Sequence, residues 1–406
     1  MFPTDTDTLT PIVARFLSIE DVTQGDSRTP YLVRYRGLLR IDSVEAYDQL
    51  AELLRPRNIT PLFRKEGERH VVFLTSGIAK EHNPKIWINV LLIVLTILSV
   101  FWVGIIHAVS WEMAGYTSID LNSIKPHLPQ IILEALAFTA SLLGILFAHE
   151  FGHYLVGRRD GAQVTLPYFL PLPLPPFGTL GAFISLLSPP KNKRVLLDLS
   201  LAGPLSGLIV AIPVLALGLS LSRIDILPAN LEEAQGMILE GNSILYLGLK
   251  YLIFGQWLPA PIDYGGLHPF LYWLRYFFTG APFPFGGTDV MIHPVAMAGW
   301  AGVLVTALNL IPAGQLDGGH LMYVLAGKRT NTILPIILGF LVLLGMVWSG
   351  WWLWAFLIFI FGRMHAEPLD QITELDQPRR LLALLGLVVF ILVFTPVPML
   401  TIGAGF

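Results

Sequence analysis

The sequence predicts an α-helical multi-pass membrane protein of about seven spans, six to eight being compatible, with a small soluble α+β domain ahead of them. Three observations carry that expectation. Of 406 residues, 54% are hydrophobic and only 14% charged, where an average soluble domain carries about 25% charged residues; mean hydropathy is +0.63. Apolar runs long enough to cross roughly 30 Å of hydrocarbon recur from residue 86 onward. The charges are unevenly spread, with 12 of 26 Lys and Arg in residues 1–86. The same numbers exclude a disordered chain and a coiled coil. A net charge of −3 with no basic patch excludes a nucleic-acid partner. With no cysteine, disulfides and thiolate chemistry are absent, so any metal site must use His, Asp and Glu.

Residues 1–82 form the expected soluble domain. Met1 to Thr10 is polar and acidic and does not read as a signal peptide. Tyr31 to Leu39 alternates apolar and polar residues, as a strand does. Ser43 to Leu54 has helical spacing, with Ser43 as N-cap and Tyr47, Leu50, Leu53 and Leu54 on one face. Ile59 to Arg64 and His70 to Thr75 flank a polar turn and read as a hairpin. This domain serves regulation, substrate docking or simple stabilisation; it shows no catalytic cluster.

Residues 83–406 carry the spans, with a core at 130–330. The runs are Ile86–Val109, Ile131–Val156, Val195–Ser222, Val290–Ile311, Thr332–Phe361 and Leu381–Leu400. Thr332–Phe361 reads as two short helices turning at Ser349-Gly350, a single tilted helix being the alternative. Met237–Phe254 is weaker and suits an interfacial or re-entrant helix. Orientation follows the basic residues. Arg158, Arg159, Lys191, Lys193, Arg194, Lys328, Arg329, Arg363, Arg379 and Arg380 fall on one side if the N-terminus is inside and Thr332–Phe361 is a hairpin. The connection from Arg223 to Asp289 has three basic residues in 67 and suits the other side. Trp348, Trp351, Trp352 and Trp354 read as an interfacial belt. Pro167 to Pro190 has too many prolines for a continuous helix and is too apolar for an exposed loop. It is expected to be re-entrant beside a cavity, because irregular backbone at membrane depth must be buried or line a wet space.

The chemistry concentrates in two places. His149-Glu150-Phe151-Gly152-His153 lies inside the second run. On a helix, positions i and i+4 share a face, so both imidazoles can ligate one zinc ion, with Glu150 placed to act on a water. A charged side chain in an apolar span costs about 2.5–3.5 kcal/mol or more and is a functional candidate for that reason. The fourth run ends in Asn309-Leu310-Ile311-Pro312-Ala313-Gly314-Gln315-Leu316-Asp317-Gly318-Gly319-His320. Asp317 is the natural third ligand, although Asp-Gly also makes ordinary turns and caps. Zn²⁺ against Glu150 and Asp317 leaves no net charge in low dielectric. Both segments lie at the inside ends of their runs, so they reach the same depth. Glu134 reads as an interface residue; His293 and His320 flank the second segment, and His320 reads as helix-end packing, with support or gating of the site as the alternative.

HEFGH together with NLIPAGQLDGGH resembles the site-2 protease family of intramembrane zinc metalloproteases, and LAGPLSG in the third run is similar to a small-residue element of that family. The resemblance covers roughly residues 130–330. No PDZ-like domain is visible between runs three and four, which looks more like the plastid and cyanobacterial branch. The resemblance implies one zinc ion per chain on His149, His153 and Asp317, with Glu150 as base. It implies a lipid bilayer and a membrane protein substrate with a transmembrane helix as partners, in a cell membrane or a plastid-type membrane. Asn309 and Pro312 would stand on the substrate or oxyanion side. Gly178, Thr179, Leu180 and Gly181 open the stretch 178–186, which either offers a strand edge to substrate or packs as a plug. Gly318 and His320 would support the ligands. A transporter or metal-permeation protein, or an inactive scaffold of the same fold, is the competing expectation.

Overall fold

We describe the chain from a computed structural model. It describes residues 6–26, 28–77, 85–116, 120–361 and 367–402, without the side chains of 328, 331 and 361. The expected domain boundary at 82 and the basic residue Arg363 lie outside these.

The N-terminal unit comprises α1 (Thr6–Val13), β1 (Leu17–Gln24), β2 (Val33–Leu39), α2 (Ser43–Leu54), β3 (Ile59–Glu66) and β4 (Arg69–Ser76). The strands form one antiparallel sheet in the order β1-β2-β4-β3. The expected strand, helix and hairpin are all present; α1 and β1 were not expected. The N-cap of α2 is Asp42, not Ser43, because the Asp42 carboxylate accepts from the Val44 amide at 2.9 Å. Ser43 is instead buried, its hydroxyl 2.8 Å from that of Thr373. Tyr47, Leu50 and Leu54 of α2 close on Tyr35 and Phe63 of the sheet. The edge strand β3 is extended by a distant segment. The Phe63 amide donates to the Leu369 carbonyl at 2.9 Å, and the Gln371 amide to the Phe63 carbonyl at 3.1 Å. Leu369 and Ile372, partly buried, thereby pack against the hydrophobic core of this unit.

The remainder is mostly helical. In order come α3 (Ile86–Glu112), α4 (Leu121–Ile124), α5 (Leu128–Arg159), β5 (Tyr168–Pro171), β6 (Thr179–Phe183), α6 (Lys193–Leu221), β7 (Arg223–Ile226), β8 (Ile238–Glu240), α7 (Ile244–Phe254), α8 (Pro269–Thr279), β9 (Thr288–Met291), α9 (Pro294–Asn309), α10 (Asp317–Ala326), α11 (Thr330–Gly345), α12 (Gly350–Phe361), α13 (Gln377–Val393) and β10 (Met399–Thr401). Among the described residues, 86–112, 121–159 and 193–221 are long and apolar enough to cross a membrane; 244–254, 294–309, 332–345 and 350–360 are shorter apolar helices. α11 and α12 fold back on one another, as the Ser349-Gly350 turn predicts.

Several boundaries differ from expectation for identifiable reasons. The run Val290–Ile311 yields a helix of only 16 residues, since Pro294 starts it at N1 and His293 caps it. The residues before it pair as β9 with β7. The last run ends as helix at Val393, ahead of Pro396 and Pro398, and its tail pairs as β10 with β8. Met237–Phe254 splits at Ser243, whose hydroxyl caps α7. Trp351 is no belt residue: it is buried, and its indole donates to the Pro396 carbonyl at 2.6 Å. Glu134 is no interface residue either, being buried 2.8 Å from His293 Nε2. The 223–289 connection holds short strands, two short helices and a buried Lys250, which lies 3.4 Å from Asp289 and 3.7 Å from Glu240.

Helices α5, α6 and α9 make the core of this region. Small residues let them approach closely, as helices do where lipid offers no hydrophobic drive to pack. A Cβ on Gly152 of α5 would meet the Ala202 carbonyl of α6 at 2.5 Å, and one on Gly299 of α9 would meet the Leu215 backbone at 2.6 Å. The Pro167–Pro190 stretch forms the antiparallel hairpin β5–β6, not a helix. A polar stripe on α3 holds it. Asn89 donates to the carbonyls of Leu166 (3.1 Å) and Pro167 (2.9 Å). Ser99 donates to that of Gly178 (2.6 Å), and His107 to that of Pro176 (2.7 Å). Irregular backbone thus keeps its partners inside an apolar region.

Candidate metal centre

His149 and His153 sit one turn apart on α5, both buried. α9 stops at Asn309 because Pro312 and Gly314 follow, Gly314 taking φ 68°. The chain then turns back, and α10 begins at Asp317. That reversal demands glycine after the aspartate: a Cβ on Gly318 would stand 2.0 Å from the Leu310 carbonyl oxygen.

The three side chains converge. His149 Nε2 and His153 Nε2 are 3.3 Å apart; Asp317 Oδ2 lies 3.6 Å from the first and 3.3 Å from the second. Among the described residues these three form the group able to hold a metal ion. Donors at about 2.0–2.1 Å from a tetrahedral zinc ion stand roughly 3.3–3.4 Å from one another, so the spacing fits. Two imidazole nitrogens and one carboxylate oxygen also leave a fourth position open, as catalytic zinc sites do. The tautomer fits as well. His153 Nδ1 donates to the Leu199 carbonyl of α6 at 2.8 Å, which turns the Nε2 lone pair towards the centre. α6 is shaped for this contact. A Cβ on Gly203 would stand 2.1 Å from His153 Nε2. Pro204 cannot donate to the Ser200 carbonyl, which loosens the helix ladder beside Leu199.

Glu150 is buried with Oε2 lacking any protein partner. An unpartnered carboxylate oxygen in an apolar region needs a water or substrate group to satisfy it. The site opens into a cavity of about 500 Å³ lined by His149, Glu150, His153, Asp317, Asn309, Gln315, His320, Leu199, Ser200 and residues 182–186. Asn309 Nδ2 lies 3.3 Å from His149 Nε2, at the edge of the centre.

The hairpin contributes unequally. Ala182 to Leu186 line the cavity, and the backbone of Ile184 interacts with the Glu150 carboxylate. Gly178 lies against the Val100 backbone of α3, Thr179 donates to the Leu170 carbonyl at 2.8 Å, and Leu180 is 69% exposed. Gly181 pairs with Leu170 in the hairpin. These four therefore anchor the hairpin, and the five residues after them reach the centre. Pro312 faces a separate apolar cavity of about 260 Å³ between α7, α8, α11 and α13. Sequence reasoning missed Leu199 and the α3 stripe, and it included Ile184 only as one member of the stretch 178–186. The spacing of Asn89, Thr96, Ser99 and His107 along an apolar helix was the one signal available for the stripe.

Residues 137–348 match the family model described as Peptidase family M50. The chain is 30% identical over 322 residues to a protein of Arabidopsis thaliana named probable zinc metalloprotease EGY1, chloroplastic, covering 76% of this chain and 53% of that protein. It is 30% identical over 238 residues to probable zinc metalloprotease EGY2, chloroplastic, of Oryza sativa subsp. indica, covering 58% and 37%. It is 26% identical over 318 residues to probable zinc metallopeptidase EGY3, chloroplastic, of Arabidopsis thaliana, covering 74% and 50%. The chain spans about half the length of the curated relatives it matches or less. No solved structure matches it.

Proposed function

Since this chain belongs to peptidase family M50, the site-2 protease family, we propose that it is an intramembrane zinc metalloprotease cleaving peptide bonds in or near transmembrane helices of membrane-anchored proteins. The observation that carries this reading is the convergence of His149, His153 and Asp317 to tetrahedral spacing beside a buried, unpartnered Glu150 carboxylate oxygen. His149, His153 and Asp317 would hold the metal. Zinc, when bound, supplies a Lewis acid that polarises a scissile carbonyl and acidifies a water.

The chain's own residues do the rest. Glu150 takes the proton of the attacking water and passes it to the leaving amine. The Asn309 amide, beside His149, donates to the developing oxyanion. A substrate helix hides its peptide bonds in its own hydrogen bonds, so it must unwind locally, and the freed groups need partners in lipid. The hairpin stretch 178–186 gives them a strand edge: Gly178 to Gly181 fix its outer end, and 182–186 lay the substrate across Glu150. Gly318 keeps Asp317 in place, His320 lines the substrate space, and Pro312 ends α9 so that Asn309 faces the ligands.

The seven-span arrangement, a soluble unit at 1–82 and a protease unit at 83–406 complete the reading. A plastid-type or cell membrane is the compartment, with the N-terminal unit on the side of Lys191 and Arg194. The names of the chloroplast relatives favour the plastid type. Replacing Glu150 by Gln keeps size and burial while removing the base. Cleavage of a membrane-anchored reporter should fall by about 10²–10⁴-fold with zinc content unchanged; undiminished cleavage would sink the mechanism.

A further inference from the structure

Beneath the metal centre a single carboxylate ties three helices. Asp198 of α6, with its side chain 11% exposed, accepts from Arg379 of α13. Arg379 Nε lies 3.0 Å from each carboxylate oxygen and Nη2 lies 2.6 Å from Oδ2. Arg159 of α5 approaches the same oxygen at 3.6 Å. The next residue is Leu199, whose carbonyl orients His153. A carbonyl can fix an imidazole only as well as its own turn is fixed. Here that turn sits beside Pro204, where the helix ladder lacks a donor. The bidentate pair supplies the missing restraint, in a geometry that arginine makes and lysine does not.

Arg379 is in turn connected to the N-terminal unit. Its Nη1 donates at 2.6 Å to Asp376, the N-cap of α13. The preceding segment 367–373 is the one that extends β3, with Leu369 packed, partly buried, against the core of the N-terminal unit and Thr373 bonded to Ser43.

We propose that Asp198, held by Arg379, is a positioning residue for the metal ligand His153, and that the segment 367–376 transmits docking of the N-terminal unit to this pair. The proposal rests on the zinc reading given above. Full-length protein in detergent would be titrated with zinc against a competing chelator, alongside thermal melts. Removing an outer partner of a metal ligand typically costs 10–100-fold in affinity. Asp198→Asn and Arg379→Gln should each weaken zinc binding about tenfold, with Arg379→Lys recovering part of the loss. Leu369→Asp, which undocks the N-terminal unit, should weaken it in the same direction. Leu215→Ala, a cavity in the outer half of the same helix, should lower the melting temperature and leave zinc affinity unchanged. Wild-type affinity in Asp198→Asn overturns the positioning role. Wild-type affinity in Leu369→Asp overturns the transmission. A wild-type chain that binds no zinc instead overturns the zinc reading itself.

Discussion

At Gly203 a single methyl group would stand 2.1 Å from His153 Nε2 and within 2.6 Å of two other ring atoms. Backbone and imidazole cannot both stay where they are. Gly203→Ala should therefore abolish tight zinc binding while leaving a folded membrane protein, measured by metal content of purified protein and its helical circular dichroism. Retained stoichiometric zinc would refute the geometry. The candidate ligands were legible because their spacing is a local property: i and i+4 on one helix put His149 and His153 on one face. Asp317 could be assigned by its chemistry and depth. Gly203 could be noticed as part of a small-residue run, but its reason could not, since the reason is a side chain 50 positions away.

The element with the most distinct parts is the β5–β6 hairpin. Register explains the division. Tyr168 pairs with Phe183, and Val164 with Leu186, so the ladder shifts between them and leaves Ile184 turned to Glu150. Ile184→Pro removes the backbone N–H at that position. It should reduce reporter cleavage by tenfold or more with zinc content intact, whereas a packed plug with no substrate contact would tolerate it. Proline content announced that the segment is not a helix. Which half meets the centre depended on register, and the hairpin's flanks are held by partners on α3. The stripe Asn89, Ser99, His107 meets hairpin carbonyls about 70 to 80 residues away, a pairing no local pattern contains.

For the whole molecule, the junction between the N-terminal unit and the helices turns on Asp370. It is fully buried, and accepts from the amides of Ile372 (2.8 Å) and Thr373 (3.2 Å) and from the Thr373 hydroxyl. Burial raises its carboxyl above the usual range, with the hydrogen bonds opposing that shift. A carboxyl whose folded pKa is raised costs stability when ionised, and the cost disappears as pH falls to its unfolded pKa of about 3.9. Asp370→Asn should thus melt higher than wild type at pH 7, with the difference shrinking towards pH 4. A difference independent of pH would contradict the assignment. The chain has no cysteine, so single cysteines report topology without background. Exposed Glu52→Cys and Asp263→Cys should be labelled by an impermeant maleimide from opposite faces of sealed vesicles. Labelling from one face would overturn the proposed orientation.

What the sequence determined by itself follows from covalent order and composition. Low charge and long apolar runs dictate helices for lipid, since only internally bonded backbone survives there. The HEFGH spacing dictates two imidazoles on one face, and the Ser349-Gly350 turn a helical hairpin. Tertiary structure alone decided what meets across the chain. It brought Leu199 to His153, Ile184 to Glu150, His293 to Glu134, and segment 367–373 to the edge of β3. All join residues far apart in sequence, and all but the His293–Glu134 side-chain pair do so through backbone groups, which every residue carries alike. A sequence can show that such groups need partners, but which partner each receives is settled only when helices pack at the distances their small residues allow.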